Sequence, residues 1–185
     1  QGLGLYGAAR YEDAIEYFNK AIDSFSQMGD MWQFNLARFH LGLCHYGLGN
    51  LPEAIEHAQN TFDLSVRIGD PRSHCSSYLW SRATNGNLPL DELSSCYTPM
   101  PEDITSTVNA LKAEGLWHLE QGCTEKAVSV LERAWDLAKK NFVIMTHTVA
   151  VLPLLVNALR VHADAVAAKD QRQCRQLRKR ALRLA

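Results

Sequence analysis

Apolar residues recur at helical spacing along most of the chain. Between residues 11 and 28 they fall three and four positions apart, so that they share one side of a helix while acidic and polar residues occupy the other. The pattern predicts helices over about 1–9, 11–28, 31–48, 51–68, 72–85, 89–96, 104–121, 125–140, 142–168 and 171–185. Thr124 is expected to cap the eighth, Asp103 or Thr105 the seventh, and Pro153 to kink the ninth or mark its true start.

Two short motifs return at a fixed interval. Gly29-Asp30 recurs as Gly69-Asp70, and Asp13-Ala-Ile-Glu recurs as Glu53-Ala-Ile-Glu, each forty residues later. Self-similarity at one period indicates a repeat architecture, in which stacked units supply the core that no unit could form alone. We therefore expect a single repeat domain over 1–185, with units at about 1–29, 30–70, 71–100, 101–140 and 141–185. Because the chain begins in mid-pattern at Gln1, we expect it to be part of a larger protein.

Small and aromatic residues occupy recurring places in these units. They are Gly2, Tyr11, Ala14, Phe18 and Ala21; then Gly42, Gly49, Leu51, Ala54, Ala58 and Thr61; and later Gly115, Gly122, Ala127, Leu131 and Ala134. In this the chain resembles the tetratricopeptide repeat (TPR) family, with Ala58 and Thr61 as departures from its pattern. The forty-residue period is similar to the long-repeat variety of bacterial signalling proteins and kinesin light chains. The resemblance implies an all-α fold, a right-handed α-solenoid of antiparallel helix pairs.

The same resemblance implies a binding surface on the concave side, where the first helix of each pair lines a groove. Carried over by position, that surface consists of Leu36, Phe39, His40, Leu43, Tyr46, Ser76, Trp80, Ala83, Asn109, Lys112, Leu116 and Glu120. The family's clamp for a terminal carboxylate is not implied, because Leu3, His40 and Leu43 stand in its Lys and Asn positions. Each of these side chains could instead belong to the core, and we expect this least of Trp80 and Lys112.

Composition removes several classes of protein. Apolar residues make up 46% and charged residues 21%, and the net charge of −1 argues against a generally basic nucleic-acid binder. Five scattered cysteines without a C-x-x-C pair favour reduced thiols in the cytoplasm, and no apolar run reaches the ~20 residues that span a bilayer. The histidines form no H-E-x-x-H or zinc spacing, and neither a P-loop nor a nucleophile elbow occurs. We expect no enzyme activity, no cofactor and no metal.

Residues 169–185 are strongly basic. They carry seven Lys or Arg against Asp170 alone, a net +6, so the remaining residues carry −7. The candidate basic patch is Arg172, Arg175, Arg178, Lys179 and Arg183. On a helix it could face nucleic acid or anionic lipid, or it could be the solvated outer side of a terminal helix whose apolar stripe points inward. The second interpretation is favoured, and the acidic remainder of the chain could attract this helix.

The sequence therefore predicts a non-catalytic scaffold that binds a peptide or helix in its groove. We expect it to be the regulatory region of a larger signalling protein, and residues 86–101 to form a hinge or a binding notch. The alternative is an element of self-association or autoinhibition that acts on its own parent chain. Nucleic-acid or membrane binding through 169–185 ranks third, and catalysis fourth.

Overall fold

The computed structural model describes residues 1–70, 79–84, 104–141 and 151–185. The chain divides into two compact units, Gln1–Thr84 and Asn85–Ala185. All the regular structure within the described ranges is helical, as the apolar periodicity predicts.

The first unit is a series of antiparallel helices. Short connections force each helix to fold back on the one before it, and each packs against its predecessor. The helices are α1 (Gly2–Gly7), α2 (Tyr11–Met28), α3 (Met31–Leu48) and α4 (Leu51–Ile68), followed by a helical segment at 79–83. The last three named helices have the predicted bounds. Three predicted features lie outside the described residues. They are the rest of helix 72–85, apart from residue 84, then helix 89–96, and the hinge or binding notch at 86–101.

The Gly-Asp motif ends one helix and begins the next. Gly29 has φ of 71°, a left-handed conformation that glycine adopts without steric cost, and the Asp30 amide donates to the Phe25 carbonyl at 3.0 Å. The Asp30 carboxylate then accepts a hydrogen bond from the Gln33 amide at 3.0 Å, which caps α3. The Gly29-Asp30 dipeptide therefore ends α2 and starts α3 in the opposite direction.

The second unit contains four described helices. They are α5 (Ile104–Glu120), α6 (Thr124–Lys140), α7 (Val151–Val166) and α8 (Gln171–Leu184). Helix α6 packs on α5 and α7, and α8 packs on α7. Pro153 lies within α7, at the third residue of its described part. The part of the predicted helix before 151 lies outside the described residues.

The predicted N-cap of α6 is wrong. Cys123 occupies the cap position and Thr124 is the first helical residue. Thr124 Oγ1 lies 2.9 Å from His162 Nδ1 of α7, so its hydroxyl links two helices instead of closing the end of its own. Thr105 is likewise inside α5, and Asp103 lies outside the described residues.

Small residues allow paired helices to approach closely, as the repeat pattern predicts. Ala14, Ala54 and Ala127 take the same place in three repeats, and each is fully buried. A Cβ at Gly42 would lie 2.9 Å from Leu79 Cδ2, and one at Gly115 would lie 2.6 Å from Leu131 Cγ. Side chains at these positions would push the helices apart.

Candidate functional site: an apolar groove in the first unit

Helix α1 packs against the first half of α2. The Tyr6 and Tyr11 rings lie 5.9 Å apart, and Gly2 lies against the Phe18 ring, so α1 runs antiparallel to the first half of α2. The second half of α2 and the facing half of α3 extend beyond it.

A groove of about 410 Å³ lies in this uncovered region. Its lining is mostly apolar and comes from three helices and Gln1: Gln1, Gly2, Leu3, Tyr17, Phe18, Ala21, Phe25, Gln33, Leu36, Ala37 and His40. Leu3 is 58% exposed and Tyr17 41%, although both are large and apolar. The Lys20 ammonium lies 5.4 Å from the Tyr17 ring centroid, so the rim of the groove includes a cation over an aromatic face.

His40 forms a fixed wall of the groove. Its ring stacks on Phe18 at 5.4 Å with an interplanar angle of 19° and meets Tyr6 edge-on at 6.4 Å. His40 Nδ1 donates to the Leu36 carbonyl oxygen at 2.8 Å, which sets the orientation of the imidazole. Burial raises the pKa of the Tyr6 phenol, and Tyr11 and Cys44 add to the rise. The Tyr6 phenol therefore stays neutral at neutral pH.

The structure separates the residues predicted for the first unit's binding surface. Leu36 and His40 line the groove. Phe39 is instead buried in a second cluster with Ala58 and Leu79. At the edge of that cluster lie the half-buried side chains of Leu43, Tyr46 and Trp80, while Ala83 is buried.

Tyr46 is also tied to the helical segment 79–83. Its hydroxyl oxygen accepts hydrogen bonds from Arg82 Nε at 3.1 Å and Nη2 at 2.8 Å, and the guanidinium lies 5.4 Å from the ring centroid. Tyr46 therefore serves packing between repeats as well as presenting a partly exposed edge.

In the second unit, the expectation that Lys112 is among the least buried positions is wrong. Lys112 is fully buried and Asn109 is 1% exposed, because both lie on the stripe of α5 that also carries Val108. Leu116 is half-buried and Glu120 exposed, and Ser76 lies outside the described residues. Helical position relative to the neighbouring helices, rather than residue type, decides burial here.

Helix α2 supplies groove residues that the sequence argument missed. Tyr17, Ala21 and Phe25 line the groove, yet they belong to the second helix of a repeat pair. The family resemblance implies a surface formed by the first helix of each pair alone. The apolar stripe of α2, which carries Ala21 and Phe25, was the signal that could have pointed to them.

Helix α8 places its apolar stripe inward, as predicted. Cys174 and Ala181 are buried, whereas the five residues of the candidate basic patch are exposed. Arg178 Nη2 donates to Asp164 Oδ1 at 2.9 Å, and this hydrogen bond raises the pKa of Arg178. Arg180 pairs with Glu132 of α6. The acidic residues of neighbouring helices therefore neutralise part of the basic helix.

Metal-binding clusters and membrane-spanning helices are both absent from the described ranges. No group of three or more His, Cys, Asp or Glu side chains within them is arranged to hold a metal ion. Within the same ranges, no helix combines the length and the apolar character needed to cross a membrane.

Neither a protein-family model nor a curated protein matches the chain. The chain is similar to two crystal structures of a kinesin light chain-like protein of Podospora anserina with nearly identical TPR-like repeats. One has a TM-score of 0.56 at 14% identity and the other 0.55 at 15%; each likeness covers 99% of this chain and 90% of the other. At this identity the likeness concerns the fold, and it confirms the predicted all-α class built from TPR-like helix pairs.

Proposed function

We propose that the chain is a non-catalytic interaction module whose groove in the first unit binds an amphipathic helix of a partner protein. The observation that supports this most is the apolar groove between α2 and α3, which Gly2 and Leu3 of α1 also line. In keeping with the sequence-based hypothesis, the module would serve as a regulatory region of a larger cytoplasmic signalling protein.

The dimensions of the groove favour a helix as its occupant. From Phe18 to Met28, α2 extends beyond α1 by about ten residues, or ~15 Å. A helix of three turns has this length, and it would pack against both α2 and α3. Its apolar side chains would need spacings of three and four residues to reach Ala21, Phe25 and Leu36.

The rigidity of the walls favours binding without rearrangement. Phe18 and Ala37 are buried within the cluster that joins α2 and α3, and His40 is held by stacking and by its bond to Leu36. A preformed groove loses little conformational entropy when it is filled, so more of the apolar burial is available as affinity.

A display library of helical peptides, selected against the immobilised chain, tests the proposal. We expect enrichment of peptides with apolar residues at helical spacing, and loss of their binding to Leu36→Asp. Val66→Asp is the matched control, because Val66 is 62% exposed on α4 and lies outside the groove lining. Circular dichroism would first establish that both variants keep the helical content of the wild type.

Equal binding of the enriched peptides to the wild type and to Leu36→Asp would contradict the proposal. Enrichment of segments from the chain itself, together with concentration-dependent mass, would support self-association or autoinhibition instead.

A further inference from the structure

A second apolar surface lies between α7 and α8, and the groove in the first unit does not account for it. Its floor is formed by Val156, Ala181, Leu182 and Ala185, around a cavity of about 440 Å³. Leu182 is 80% exposed, the highest value among the large apolar residues of the described ranges. We name this surface the α7–α8 face.

The rim of the α7–α8 face carries a net positive charge. Arg160, Asp164 and Arg178 line it, with Arg178 bonded to Asp164 at 2.9 Å and Arg160 at 4.0 Å from the same carboxylate. Two cations therefore share one anion. The rim therefore keeps one positive charge in excess, and it attracts negative charge.

Further cations lie beside Leu182 on the exposed side of α8. Arg175 is seven residues before it and Lys179 three, so all three lie on one side of the helix. With the rim, these side chains make four cations against Asp164. Arg175 Nε donates to the Gln171 carbonyl, a bond to the backbone that leaves its charge uncompensated.

We propose that the α7–α8 face binds an acidic amphipathic helix of a partner protein. Apolar side chains of that helix would cover Leu182, Ala185 and Val156, while its flanking Glu or Asp residues would meet Arg175 and Lys179. The apolar floor distinguishes this occupant from nucleic acid, which would leave Leu182 in contact with water. The charge of the rim distinguishes it from a basic helix.

A designed pair of peptides tests the proposal by fluorescence anisotropy with the full chain. The acidic peptide is a helix of roughly 18 residues, about five turns, with leucines at helical spacing and glutamates beside them. The control peptide carries lysine at each glutamate position. We expect the acidic peptide to bind at low salt, to weaken as ionic strength rises from about 0.05 M to about 0.5 M, and to exceed the lysine peptide about tenfold or more in affinity.

Two variants locate the binding on the α7–α8 face. Leu182→Asp and the double variant Arg175→Glu/Lys179→Glu should each lower affinity for the acidic peptide by about tenfold or more. Val66→Asp is the control, since it adds the same charge at another exposed apolar residue. All the substituted side chains are exposed, so unchanged circular dichroism and melting are expected.

Several results would overturn the proposal. These are no binding of the acidic peptide at low salt, equal binding of the lysine peptide, or full binding by Leu182→Asp. Binding of single-stranded RNA but not of the acidic peptide would assign the face to nucleic acid. A dimer of the wild type that Leu182→Asp abolishes in sedimentation would assign it to a second copy of the chain.

Discussion

The α3–α4 pair of the first unit and the α5–α6 pair of the second align in sequence with a shift of seventy-three residues, which brings Gly115 onto Gly42. In the first pair, the Asn35 side-chain amide donates to the Thr61 carbonyl oxygen at 3.1 Å and to Ser65 Oγ at 2.7 Å. Helix α3 is therefore joined to α4 by a buried polar contact.

The aligned positions in the second pair are Val108, Ala134 and Ala138, which pack together in an apolar cluster. All six positions are buried in their own units. The repeat geometry thus decides which positions face the neighbouring helix but leaves their chemistry open, polar in the first pair and apolar in the second.

The same shift aligns Phe39 with Lys112. Phe39 is 6% exposed and Lys112 is fully buried. An aromatic side chain and a lysine side chain therefore occupy aligned positions that are both buried. Residue type is a weaker guide to exposure than position in the repeat.

The largest predicted effect concerns the two glycines that define the alignment. Gly115→Ala should destabilise the second unit by about 2 kcal/mol, because the new Cβ meets Leu131 Cγ at 2.6 Å, the branch point of a buried side chain. Gly42→Ala should cost less, since its contacts are longer, 2.9 Å to the methyl end of Leu79 and 3.0 Å to His57 Cβ. Chemical denaturation followed by hydrogen exchange would assign each loss to its unit.

Gly4→Ala is the control for these variants. A Cβ at Gly4 has nothing within 4 Å, so the higher helix propensity of alanine should leave stability unchanged or raise it by up to about 1 kcal/mol. A loss at Gly4 as large as that at Gly115 would refute the argument from close helix approach.

The next effect tests whether the polar and apolar contacts are interchangeable. Asn35→Val should destabilise the α3–α4 pair by about 1 kcal/mol, because Ser65 Oγ then loses its buried donor. The triple variant Asn35→Val/Thr61→Ala/Ser65→Ala reproduces the residues of the second unit and should recover much of that loss. Urea denaturation of both variants measures the difference, and a triple variant less stable than Asn35→Val would show that the two contacts are not equivalent.

A smaller effect on stability depends on pH. It is expected at His57 and not at its aligned residue, Val130, which has no titratable group. Burial lowers the pKa of His57 below its ordinary value of 6.5, and the stacked ring of His45, 5.3 Å away, lowers it further. Arg38 acts in the same direction, whereas Glu56 and Glu53 oppose it. The unfolded chain therefore binds the proton more readily, so His57 should cost stability only as pH falls below about 6.5.

His57→Val should reduce this loss. Hydrogen exchange of the α3–α4 amides at pH 7.5 and at pH 5.5 would measure it in wild type and variant. An equal decrease in protection in both proteins would exclude His57 as the source.

The smallest effect is a difference in thiol reactivity between the units. Burial raises the pKa of Cys44 to about 11, and Cys44 is fully buried, whereas Cys123 is exposed at the start of α6. At pH 8, alkylation followed by peptide mapping should label Cys123 well before Cys44, since the thiolate is the reactive form. Comparable labelling at early times would mean that the first unit opens readily.

Much of the fold could be predicted because its signals are local. The spacing of apolar residues and the Gly-Asp turns gave the bounds of α2, α3 and α4, and the small residues Gly42 and Gly115 identified close helix contacts. The division into five units and the long-repeat variety stay predictions.

The binding role of the predicted surface residues stays a prediction, and the structure places them in different surroundings. Leu36 and the buried His40 line the groove, whereas Phe39 belongs to a second cluster and Lys112 is buried in the second unit. Phe25 of the groove was missed. The error over Thr124 has the same origin, since its hydroxyl contacts His162, thirty-eight residues away. Each of these outcomes depends on a contact between residues far apart in the chain.

The sequence by itself determined the helices, their turns and the TPR-like pairing, because backbone capping and apolar periodicity act within a few residues. Only the tertiary structure decided which apolar side chains line a groove: Phe25 and Leu36 between α2 and α3, and Leu182 between α7 and α8. Whether an apolar side chain is covered depends on the length and position of the helix beside it, and periodicity within one helix does not contain that information.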